Sequence, residues 1–143
     1  MSGVVVGIDG SDNSQHALDW AVREAAAVHA PLTVLAVHQV AANHWTGNPL
    51  IYPEDTAAQE KARHLADEAV TKAVSQAGDA RPASVTVRAV SGLAAKELIE
   101  ASRDADLVVV GSRGGGGFVS LLMGSVSSQV VNHAHCPVVV VRN

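Results

Sequence analysis

Aromatic side chains are scarce: they make up 3% of the 143 residues and occur as Trp20, Trp45, Tyr52 and Phe118. A core must then come from valine, alanine, leucine and isoleucine, which suits helices packed on a buried parallel sheet. Cysteine is reduced to Cys136. That excludes an intrachain disulfide framework and accords with a reducing compartment. Lysine occurs only as Lys61, Lys72 and Lys96, and the formal net charge is −4. General nucleic-acid binding needs a basic surface and is not expected. No apolar stretch approaches the roughly 20 residues of a membrane-spanning helix. The opening MSGVVVGID lacks the basic segment of a signal peptide. These absences lead to the expectation of one soluble, cytoplasmic domain over residues 1–143, with no membrane contact.

What is present is an alternation. Five β-branched runs, Val4–Ile8, Leu32–Val37, Val85–Val90, Leu107–Val110 and Val138–Val141, read as strands. Ala17, Ala21, Ala25 and Val28 recur at helical spacing after the first run, and Ala58, Ala62, Leu65, Ala69 and Ala73 after the second. Further helices are expected over Leu93–Arg103 and Ser125–His133. Strands alternating with helices predict an open α/β fold with a parallel sheet and helices on both faces. The one long connection, Val40–Asp55, carries Trp45, Tyr52 and two prolines. Such loops serve as lids, binding loops or contact surfaces, or are plain insertions.

Ligands of open α/β sheets sit beyond the carboxyl ends of the strands, where the strand order reverses. Two turns there carry unusual chemistry: Asp9-Gly10-Ser11-Asp12, and the run from Gly111 through Ser112, Arg113, Gly114, Gly115, Gly116 and Gly117. Six of the twelve glycines fall between Gly111 and Gly124. A loop without Cβ atoms can turn successive N–H groups towards an anion. Gly124-Ser125 then opens a helix, whose N-terminus also favours an anion. Arg113 is the cation of the stretch, either paired with a phosphate or simply solvated. The P-loop pattern fails for want of a Lys-Ser/Thr pair, and G-x-G-x-x-G occurs in no register.

The full spacing is Gly111-x-x-Gly114, nine residues, then Gly124-Ser125. It resembles the G-2x-G-9x-G-(S/T) signature of the ATP-binding branch of the universal stress protein family. VVVGIDGS at the start and GSVSSQVVNHAHCPVVVVR at the end are similar to that family too. The resemblance implies a Rossmann-like five-stranded sheet of order 3-2-1-4-5, and ATP with Mg²⁺ as cofactors. It implies that Gly7 and Ile8 wall the base pocket, that Val37 meets adenine through its backbone, and that Asp9 lies near the ribose or a phosphate-bound Mg²⁺. Gly111, Ser112, Arg113, Gly114 and the following glycines would wrap the ribose and phosphates, with Gly124, Ser125 and Val126 closing on them. It also implies a homodimer through Val138–Val141, an apolar run that would otherwise be an unprotected sheet edge.

The function expected from this reading is a nucleotide-dependent regulatory homodimer in a stress response. Two alternatives keep or discard the pocket: a cyclic-AMP binder, or a dimer acting through protein contacts of the Val40–Asp55 loop. No general base is evident beyond Asp9, so any hydrolysis of ATP should be slow. The seven histidines show no zinc spacing, and His133 and His135 are expected at a surface or helix end. Cys136 is expected to act as a small hydrophobe.

Overall fold

The computed structural model describes residues 3–40, 45–112 and 124–142. The β-branched runs form strands β1 (Val4–Ile8), β2 (Pro31–Gln39), β3 (Ser84–Gly92), β4 (Leu107–Gly111) and β5 (Val138–Val141). Helices α1 (Asp12–Ala27), α2 (Asp55–Ala77), α3 (Ala94–Ala101) and α4 (Ser125–His133) lie between them. Every strand pairing is parallel, and the order is β3-β2-β1-β4-β5, as the resemblance implied. Val4 is level with Leu32 on one side and Leu107 on the other, so the order reverses between β1 and β4.

The period-two alternation of β1 divides the core. Val4 and Val6 face α1 and α2, where they pack with Leu18, Val22, Leu32 and Val34. Val5 faces α3 and α4 and packs with Leu35, Leu98, Val108 and Val130. Each fully buried Val or Leu contributes about 1.5–3 kcal/mol of transfer free energy. Valine and leucine therefore do the work that aromatics do in other cores. Trp20 is half-buried against the α1–α2 side.

Two helices are phased differently from the expected stripes. Val28 is 50% exposed, because α1 stops at Ala27; Leu18, Val22 and Ala26 share the buried face with Ala17, Ala21 and Ala25. On α2 the buried residues are Ala66 and Ala73, while Leu65 is 48% exposed. With alanine on several sides of a helix, spacing gives the period and packing chooses the phase. Helix α3 ends at Ala101, short of Arg103. There the Ser102 hydroxyl donates to the Ile99 carbonyl at 2.5 Å and accepts from the His135 N–H at 2.9 Å.

Part of the long connection, residues 41–44, lies outside the described residues. The rest includes the almost fully exposed Trp45 and is tied down at its end. Asp55 accepts from the Tyr52 N–H at 2.7 Å and pairs with His38 Nε2 at 2.8 Å, which joins the start of α2 to the end of β2. The Tyr52 N–H first, and His38 second, hold the Asp55 carboxyl below its ordinary pKa. His133 is exposed in the last turn of α4, and Cys136 is a half-buried free thiol pushed up in pKa mainly by burial. No helix among the described residues is long and apolar enough to cross a membrane.

Candidate functional site

The turn after β1 is built by its own side chains. Gly10 takes φ +86, a conformation that a Cβ would strain, and so lets the chain double back from Asp9. Asp9 Oδ1 then accepts from the Ser11 N–H at 2.9 Å and from the Ser11 hydroxyl at 2.5 Å. Ser11, not Asp9, is the N-cap of α1, and its Oγ accepts from the Ser14 N–H at 3.3 Å. The Ser14 hydroxyl donates to the Ser11 carbonyl and accepts from the Asp9 N–H. The network fixes the exposed Asp9 carboxylate at the carboxyl end of β1.

Across the reversal, β4 ends at Gly111. A Cβ there would lie 3.0 Å from the Asn13 carbonyl oxygen and 3.2 Å from its carbon, so glycine is what lets β4 and α1 approach. This is a steric requirement, since Gly111 is not among the positive-φ glycines. Ser112 follows and is buried; its N–H donates to the Val141 carbonyl at 2.9 Å. Its carbonyl accepts from the Gly124 N–H at 2.5 Å and from the Ser127 hydroxyl at 3.2 Å. Ser112 thus clamps the start of α4 to β4 from behind. Gly124 is the N-cap of α4 in extended conformation, and among the described residues no side chain caps the first turn. The positive end of that helix is left to whatever lies in front of it.

In front of it is a cleft of about 630 Å³ on the α3–α4 side of the sheet. Of the expected residues, Gly7, Ile8, Asp9, Val37, Gly111, Gly124, Ser125 and Val126 line it. Ser112 does not. Arg113, Gly114, Gly115, Gly116 and Gly117 lie outside the described residues. Gly7 also has a packing role: a Cβ there would meet the Leu98 methyls at 2.8 and 2.9 Å.

Sequence reasoning missed the α3 side of the wall, where Leu93, Ala94, Ala95, Lys96 and Leu98 line the cleft. It also missed Gln39, whose Oε1 accepts from the Ala94 N–H at 2.8 Å and so closes the first turn of α3. Applying the carboxyl-end rule to β2 and β3, as well as to β1 and β4, would have found both. Lys96 is an exposed cation at the rim. Among the described residues no three His, Cys, Asp or Glu side chains gather as a metal cluster, and the carboxylate that lines the cleft there is Asp9. That suits Mg²⁺, which is commonly held by one or two carboxylates plus phosphate oxygens and water.

The model of the universal stress protein family matches residues 1–142. Universal stress protein Rv2623 of Mycobacterium tuberculosis is 39% identical over 142 residues, which cover 99% of this chain and 48% of that protein. The chain therefore spans about half the length of the curated relatives it matches. Among solved structures, the universal stress protein UspA from Lactobacillus plantarum superposes with a TM-score of 0.73 at 27% identity, over 98% of this chain and 97% of that one. A universal stress protein in complex with cAMP superposes with a TM-score of 0.67 at 27% identity, over 98% and 95%.

Proposed function

The chain belongs to the universal stress protein family, and from that premise we propose that its cleft binds an adenine nucleotide, ATP with Mg²⁺, as the switch of a regulatory homodimer. One observation carries the reading. The N-terminus of α4, which no described side chain caps, and the fixed carboxylate of Asp9 border a single cleft at the reversal of strand order. Anions settle at such helix ends, and 630 Å³ is within the roughly 300–1,000 Å³ of small-molecule sites. The base lies along Gly7, Ile8 and Val37, and the phosphates along Gly111 and Gly124–Val126; Arg113 and Gly114–Gly117, outside the described residues, remain phosphate candidates from the glycine signature alone. Mg²⁺, held by Asp9 and phosphate oxygens, would neutralise charge that the wall otherwise meets with few cations. With no general base besides Asp9 among the described lining residues, turnover in this reading is slow and the protein acts by binding.

A second reading, a cyclic nucleotide, is favoured by the relative solved with cAMP and by the small number of fixed charges among the described residues of the wall. Isothermal titration with ATP, AMP and cyclic AMP, with and without Mg²⁺, separates the two. The expected result is saturable ATP binding that tightens with Mg²⁺. Preference for cyclic AMP with no Mg²⁺ effect selects the second reading, and no binding of any of the three by folded protein removes both.

The dimer belongs to the same proposal. Strand β5 is at a sheet edge and its four valines are only half-buried. An antiparallel pairing with the same strand of a second copy would cover them. Val139→Lys should give a monomer in sedimentation; an unchanged dimer points to another interface.

A further inference from the structure

Where β2 and α3 meet at the cleft, the side-chain amide of Gln39 is held in one direction. Strand β2 alternates as it leaves the sheet: Val37 packs on the α3–α4 side, His38 turns to Asp55 on α2, and Gln39 returns to the cleft. The next residue anchors the backbone, since the Val40 N–H donates to the Gly92 carbonyl at 3.0 Å. The Gln39 side chain then meets two partners of opposite kind. Oε1 accepts from the Ala94 N–H at 2.8 Å, and Nε2 donates to the Val40 carbonyl at 3.2 Å.

Turning the amide over would set its NH₂ against the Ala94 N–H and its oxygen against the Val40 carbonyl. Donor would face donor and acceptor would face acceptor, so the polarity is locked. A primary amide has two N–H donors and two acceptor sites. Bonds to the described residues use one of each, which leaves an N–H and an acceptor site on an exposed side chain that lines the cleft. The wall on the same side is Val37, Leu93, Ala94 and Ala95. An apolar slot that ends in an oriented donor and acceptor suits a flat heteroaromatic ring with a polar edge.

Adenine has the matching edge, an amino donor at position 6 beside a ring-nitrogen acceptor. A 6-oxo purine has an acceptor at position 6 and a donor N1–H, which reverses the order. Tethered by its ribose, such a base has to turn over to recover the match. We propose that Gln39 selects adenine over 6-oxo purines in this cleft. The inference rests on the nucleotide reading of the cleft, but it concerns the base and is indifferent to the number of phosphates.

Isothermal titration with ATP and ITP, and with cyclic AMP and cyclic IMP, gives a ratio of affinities within each pair that cancels effects on phosphate binding. The parent should prefer the adenine member of the pair it binds by about tenfold. Gln39→Leu should bring that ratio to about one. Gln39→Glu retains an acceptor for the Ala94 N–H, so the start of α3 stays closed, but it has no N–H to give. Its ratio should also fall towards one, which answers the question should the leucine variant fail to fold. Equal affinity for the two members of a pair overturns the proposal and leaves the nucleotide reading intact. A tenfold preference that survives in both variants overturns it too, and assigns the selection to the Val37 backbone. Binding of none of the four by folded parent removes this inference together with the nucleotide reading.

Discussion

Helices α1 and α4 both begin on the crevice between β1 and β4, yet their first turns are treated in opposite ways. At α1 the Ser11 hydroxyl bonds the Ser14 N–H and is itself held by Asp9. At α4 the N-cap is Gly124, and among the described residues no side chain caps the first turn. Helix α3 sides with α1, since Gln39 Oε1 accepts from the Ala94 N–H; at α2 the N-cap Glu54 makes no side-chain cap bond, and Asp55 orders the turn before the helix instead. Of the two helices that begin on this crevice, α1 has its start closed by its own side chains, while α4 opens on the cleft at the seat proposed for the anion. The difference also assigns different duties to the glycines. Gly111 is there for space and Gly124 leaves the anion seat clear.

The comparison breaks most visibly at Gly111. Valine there places carbon against the Asn13 backbone, which has no rotamer with which to yield. Overpacking of this kind costs about 1–3 kcal/mol. Gly111→Val should lower the urea midpoint accordingly, and an unchanged midpoint would mean that β4 and α1 are not locked together. Gly124→Asp tests the open end itself. An aspartate at an N-cap stabilises a helix by a few tenths of a kcal/mol over glycine, but its carboxylate would occupy the position proposed for phosphate. ATP affinity should fall by about tenfold or more, about 1.4 kcal/mol, while thermal stability holds or rises slightly. Normal ATP binding by the variant would dissociate the helix end from the nucleotide. Ser11→Ala is the counterpart at the closed end. Loss of the cap costs about 1 kcal/mol, read as a lower melting temperature, and a variant as stable as the parent would deny that the cap matters.

This contrast was only half legible in the residues. Strands were legible because β-branched runs on a doubly covered sheet leave few alternatives, and β1 and β5 have the expected limits. The crevice was legible because Asp9-Gly10-Ser11 and Gly124-Ser125 are turn and helix-start chemistry at strand ends. What escaped was everything decided by packing. Gly111 looked like a loop glycine and is a contact glycine. Leu65 looked like core and borders a cavity, because the phase of an alanine-rich helix is set by its neighbours. Gln39 and Lys96 belong to no motif, and reach the cleft only because β2 and β3 end beside it.

The smallest effect belongs to Asp55, where the turn before α2 is ordered by an ionised group and so can be loosened by acid. Its carboxyl is held below the ordinary value, first by the Tyr52 N–H and then by His38. A carboxylate with a depressed pKa in the folded state contributes stability above its unfolded pKa and loses it as pH falls through the folded value. The lead-in to α2 should therefore stay ordered through neutral pH and loosen only below the usual carboxylate range. Carboxyl carbon titration by NMR should give Asp55 a midpoint below that of a free aspartyl peptide. His38→Ala should raise that midpoint only in part, because the larger cause, the Tyr52 N–H, remains. A midpoint in the parent at or above the peptide value would show that Asp55 does not serve this turn as an ion.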